Sequence, residues 1–125
     1  MNKNLTITAV IGISTIVLGA FGAHALAKTL TIEGMNSFET AVRYQMYHVI
    51  VLLFVNTYKG FSAKQQSRIS KFFFGGILLF SGSIYAIQLL NISAKTIWFI
   101  TPLGGLLLIL GWVFMAIAFA KRNQQ

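Results

Sequence analysis

Two stretches decide the fold: FFFGGILLFSGSIYAIQLLNISA, residues 72–94, and TIWFITPLGGLLLILGWVFMAIAFA, residues 96–120, with Lys95 between them. They run 23 and 25 residues without a charge. A helix rises 1.5 Å per residue, so roughly 20 residues cross a ~30 Å hydrocarbon core. Each stretch therefore reads as one membrane span. Residues 5–27 form a third uncharged run, of 23 residues.

A fourth run, residues 44–58, has only 15 residues. It lengthens at its start. Asn36-Ser37-Phe38-Glu39 has the form of a capping box, with Asn36 as N-cap and Glu39 three positions on. The second span is then 38–58, with Glu39 and Arg43 as i,i+4 neighbours and Arg43 snorkelling toward the interface. Ser62-Ala63-Lys64-Gln65 is a second capping box, starting a helix near Ala63. The spans expected are 5–27, 38–58, 71–92 and 97–120. Short loops make sequential helices antiparallel, so the fold class is all-α, a transmembrane up-down four-helix bundle formed as a single domain.

Composition agrees. Of 125 residues, 56 % are apolar and 10 % charged, where about 25 % charged is ordinary for a soluble domain. Mean hydropathy is +0.74. A soluble domain this small could not bury so much apolar surface, and a disordered chain needs the opposite balance. The net charge of +8 does not point to nucleic acid, because no basic stretch interleaved with aromatics remains outside the apolar runs. Instead it orients the chain. Lys3, Lys59, Lys64, Arg68, Lys71, Lys121 and Arg122 fall on the side of the termini. Lys28 and Lys95 fall on the other, with Arg43 near it. The positive-inside rule then puts both termini in the cytoplasm, for a multi-pass protein of a cell membrane. Lys64, Arg68 and Lys71 repeat at i, i+4, i+7 and form one basic stripe, suited to anionic lipid head groups at about 1 kcal/mol per residue.

Between helices in lipid, small residues allow the close packing that apolar burial alone does not drive. Gly12/Gly19, Gly75/Gly82 and Gly104/Gly111 are each seven apart, so each pair lies on one face. Trp98 suits an outer aromatic belt, and Tyr58, Phe72 and Phe73 an inner one. Trp112 lies too deep for a belt and reads as packing against glycines.

Polar side chains gather in the extracytoplasmic half. His24 ends the first span; Arg43, Tyr44, Gln45 and His48 begin the second; Ser83, Tyr85 and Gln88 close the third; Thr101 opens the fourth. The inner half is Ile, Leu, Val and Phe, with Asn56 near its edge. Unpaired polar groups in lipid cost several kcal/mol each, so these must face one another or water. They form a candidate intramembrane polar cluster. It serves either as interhelical hydrogen bonding, about 0.6 kcal/mol each, or as a ligand, ion or proton site.

Reaction chemistry has little to work with. Cysteine is absent and the only acids are Glu33 and Glu39. There is no H-x-x-x-H spacing, no G-x-S-x-G and no phosphate loop. No catalytic residue, metal ligand or cofactor is expected, and the chain does not read as an enzyme.

The polar motifs carry a resemblance. GAFGAHAL at 19–26, YQMYH at 44–48, FSGSIY at 80–85 and TPLGG at 101–105 with Gly111-Trp112 together resemble the domain-of-unknown-function 423 family, small four-span membrane proteins, along nearly the whole chain. That resemblance implies an inner-membrane location and supplies no activity, substrate or site residue. The functional expectation is a multi-pass membrane protein acting as a binding or assembly partner in the bilayer, with a membrane-protein partner or a homo-oligomer. The alternative is a small-solute or proton-linked transporter or sensor using the outer polar layer, with His24 and His48 titrating near neutrality.

Overall fold

The computed structural model describes residues 3–123. Four long helices alternate in direction. Helix α1 is Lys3–Phe21, continued by a π-helical turn at Gly22–Leu26; α2 is Ile32–Thr57 and α3 is Ala63–Leu89. A single turn, α4 at Ala94–Ile97, leads into α5, Ile100–Asn123. No strand occurs among the described residues. The helices run antiparallel in sequence order: α1 packs on α2, α2 on α3 and α3 on α5.

The second helix starts at Ile32, five residues before the Ser37 start that an Asn36 cap implies. Its N-cap is Thr31, whose Oγ1 accepts the Gly34 N–H at 3.0 Å. Asn36 is not the cap; it lies inside the helix, and its carbonyl accepts the Thr40 hydroxyl. The earlier cap adds backbone bonds, such as Met35 N–H to Thr31 C=O at 2.9 Å, and places Glu33 where the helix dipole favours a carboxylate. The Ser62/Gln65 capping box forms as read, with both bonds present at 3.1 and 2.9 Å. Helix α3 closes at Leu89 rather than 92. Asn91 follows at φ 56°, a left-handed conformation that asparagine tolerates well. Pro102 sits in the first turn of α5, where its missing N–H costs little.

Three helices are long and apolar enough to cross a membrane: Lys3–Leu26, Ala63–Leu89 and Ile100–Arg122. Helix α2 matches them in length, 26 residues, but carries more polar side chains. It lies between α1 and α3, and that position gives those groups partners.

The bundle is apolar outside and partly polar inside. Ile13, Ile16 and Val17 are all at least 60 % exposed, whereas Thr8, Thr15, Gln45, His48, Ser70, Ser81 and Ser83 are buried. This distribution would be unstable in water and suits lipid, where an exposed leucine costs nothing and an unpaired hydroxyl costs much.

Glycines set the helix separations, though not all as expected. Gly12 faces Val49 and Gly19 faces Val42, so one face of α1 meets one face of α2. Gly104 meets the backbone at Leu79 and Phe80, and Gly111 meets the ring of Phe73. The Gly75/Gly82 pair is only half a packing face: a Cβ on Gly75 would lie 3.4 Å from Leu107, and Gly82 faces no other helix. A Cβ on Gly82 would find only Leu78, at 3.9 Å, and Gly76 makes the tight contact instead, against Leu108. Phe73 is fully buried rather than part of a belt. The apolar core lies toward the end where α1 begins and α5 finishes, hereafter the basal end. It joins Leu52 and Val55 to Ile69, Phe73, Ile77, Leu108, Met115 and Ala118.

Candidate functional site

The polar side chains divide into separate groups. Gln45, buried on α2, is the hub of the first. Its Nε2 donates to Ser14 Oγ at 3.0 Å and to the Ile11 carbonyl at 3.3 Å on α1. Its Oε1 accepts the Tyr85 hydroxyl of α3 at 2.6 Å. One amide thus ties three helices. A groove of about 270 Å³ on the α1–α3 side reaches this group, lined chiefly by Leu18, Phe74, Ile77 and Leu78 beside Ser14, Gln45 and Tyr85.

The second group is His48 with Trp112. Indole Nε1–H donates to His48 Nε2 at 3.1 Å, and His48 Nδ1 lies 2.7 Å from the Tyr44 carbonyl. An indole can only donate and a carbonyl can only accept. His48 is therefore the neutral Nδ1–H tautomer, with both nitrogens engaged. Trp112 does not pack on glycines as expected; it meets Phe73 edge-on and is partly exposed. Replacing Trp112 with Phe keeps a ring there and removes one donor. We expect a loss of about 1 kcal/mol of stability and mixed His48 tautomers in the ring ¹⁵N spectrum, where the wild type shows one.

Elsewhere, the Ser83 and Thr101 hydroxyls bond each other between α3 and α5. Ser81 donates to the Ala41 carbonyl at 2.8 Å. Gln88 rests over Gly34 at the start of α2. Tyr44 is exposed, its ring stacked on Phe80 at 5.2 Å. Arg43 is exposed beside Glu39 at 3.9 Å and Thr40 at 3.2 Å. His24 is exposed in the π-helical turn and makes none of these bonds. The structure thus brings Gln45 to Tyr85 and Ser83 to Thr101, and leaves Arg43 and His24 outside. Every buried side-chain nitrogen and oxygen among the described residues has a partner. The Gln45, His48 and Ser83 groups can hold helices in register; exchanging a proton at His48 requires breaking one of its two bonds.

The sequence reading missed a polar knot in the basal half. Asn56 Oδ1 accepts from Asn4 Nδ2 at 3.0 Å, and Asn56 Nδ2 donates to Ser70 Oγ at 2.8 Å and the Leu52 carbonyl at 2.9 Å. Asn4 and Ser70 fell just outside the expected spans, so only Asn56 was visible. Asn56 and Ser70 stand near the facing ends of α2 and α3, either side of the short turn at 58–62, and that proximity was the available signal.

An open cleft lies beside the basal end. It is about 560 Å³ and is lined by Lys64, Ser67, Arg68, Lys71, Phe72 and Leu107. The Arg68 guanidinium sits 5.5 Å over the Phe114 ring. Neither acidic side chain is near: Glu33 and Glu39 lie on the first turns of α2, at the other end.

Apolar helices of spanning length, buried hydroxyls and amides, and a basic girdle at one end define a multi-pass α-helical membrane protein. A family profile described as "Protein of unknown function (DUF423)" matches residues 18–105. The chain belongs to that family. It is 38 % identical over 119 residues to a "UPF0382 membrane protein" of Haemophilus influenzae, covering 92 % of this chain and 91 % of that one. It is 39 % identical over 103 residues to a "UPF0382 membrane protein" of Staphylococcus epidermidis, covering 82 % and 83 %. It is 35 % identical over 129 residues to "UPF0382 inner membrane protein YgdD" of Escherichia coli, covering 97 % and 92 %. No solved structure matches.

Proposed function

We propose that this protein is a non-catalytic binding module of the cytoplasmic membrane, with all four long helices crossing and both termini inside. The distal polar groups hold the helices together, and the basal face binds anionic lipid head groups. The observation that carries this reading is the 560 Å³ cleft in which Lys64, Arg68 and Lys71 stand beside the apolar Phe72 and Leu107. Three cations with no acidic side chain among them attract a phosphate, and the adjoining apolar wall takes the start of an acyl chain. Lys3, Lys121 and Arg122 lie at the same end and add to the field, and the positive-inside rule places that end in the cytoplasm. Assembly with a membrane protein or a second copy would then occur through the exposed flanks of the bundle.

Lipid retention tests the proposal. Purified full-length protein should keep phosphatidylglycerol over phosphatidylcholine in native mass spectrometry, and the Lys64→Gln/Arg68→Gln/Lys71→Gln variant should lose most of that preference, about tenfold. Alkaline phosphatase fused after Gln125 should stay inactive. Equal retention of both lipids, or an active fusion, would refute it.

A further inference from the structure

The spacing in the basal cleft points to a particular head group, an inference that rests on the anionic-lipid reading above. Lys64, Arg68 and Lys71 are four and three residues apart on α3, so neighbouring cations are one helical turn apart, about 5–6 Å between Cβ atoms. The full stripe extends about 10 Å along the helix axis at 1.5 Å per residue. One phosphodiester fits between two neighbours and leaves the third cation unused. Two phosphates a turn apart fill both gaps, with Arg68 shared between them. Arginine suits the shared place because its guanidinium carries five N–H donors on a planar fork, enough to serve two phosphates, and its stacking over Phe114 restrains it. Ser67 lines the same cleft and offers a hydroxyl. Phe72 and Leu107 form the wall along which acyl chains descend between α3 and α5.

We propose that the cleft binds a lipid whose two phosphodiesters are joined by a glycerol, the cardiolipin class. A three-carbon bridge sets its phosphates about one helical turn apart. The phosphates of a lipid diphosphate share an oxygen and lie too close to fill both gaps.

The test compares tetraoleoyl cardiolipin with dioleoyl phosphatidylglycerol at equal total phosphate, and with phosphatidylcholine, on the full-length protein by native mass spectrometry. Cardiolipin should be retained about tenfold more than phosphatidylglycerol per phosphate. Arg68→Gln should abolish that preference, and Arg68→Lys, which keeps the charge without the fork, should reduce it. Lys59→Gln, which removes a basal charge outside the cleft, should leave it unchanged. Equal retention of cardiolipin and phosphatidylglycerol, both above phosphatidylcholine, overturns the two-phosphate site and leaves the anionic-lipid reading standing. Equal retention of all three overturns both.

Discussion

Replacing Gly104 with leucine will separate α3 from α5. A Cβ at Gly104 would sit 2.7 Å from the Leu79 carbonyl carbon and the Phe80 Cα, which are backbone atoms that cannot swing aside. The contact recurs along the seam, where Gly76 meets Leu108 and Gly111 meets Phe73, so the helices cannot part at one point alone. Overpacking against backbone exceeds the usual core penalty, and we expect a loss of about 3 kcal/mol. For a chain of this length that is a fall in Tm of about 10 °C in mild detergent. Gly82→Ala is the matched control. Its new methyl meets only Leu78 at 3.9 Å, and helix propensity favours alanine by about 1 kcal/mol. Its Tm should hold or rise. A Gly104→Leu protein as stable as wild type would show that α3 and α5 do not meet there.

The second large effect is at Gln45. Gln45→Leu removes bonds to Ser14, the Ile11 carbonyl and Tyr85 together and leaves the Tyr85 hydroxyl without its partner. Each cross-helix bond in a membrane averages about 0.6 kcal/mol, and the orphaned hydroxyl adds to the loss, for about 2 kcal/mol in all. Because α1 leans mainly on α2, that loss falls on the docking of α1. The chain contains no cysteine, so a Gly12→Cys/Val49→Cys pair reports the docking cleanly. A Cβ on Gly12 lies 3.5 Å from Val49. The pair should oxidise readily in the wild-type background and much more slowly with Gln45→Leu. Equal rates would place the attachment of α1 elsewhere, with the Asn4–Asn56 bond the next position to remove.

Much of this architecture could be read in the residues. The uncharged runs gave α1, α3 and α5, and Ser62 with Gln65 gave the start of α3, because a capping box is a local interaction needing nothing beyond four residues. The start of α2 was misread for a related reason. Thr31 and Asn36 are both competent caps, and local chemistry does not rank them. The site was legible as composition only. The sequence listed polar side chains in one half of the bundle and left the Asn4–Asn56–Ser70 knot of the other half unread, and Gln45 and His48 look alike in such a list. One bridges three helices, and the other receives a proton donor from Trp112, a residue read as packing.

The sequence by itself determined that this chain lives in a bilayer, which runs are long enough to cross it and which end is basic. Those properties sum over many residues and tolerate error in any one. The tertiary structure alone decided which polar groups pair, which glycines touch and where the basal cleft opens. Those depend on the rotation of each helix about its axis, and a turn of one residue, 100°, would exchange a lipid-facing side chain for a buried one.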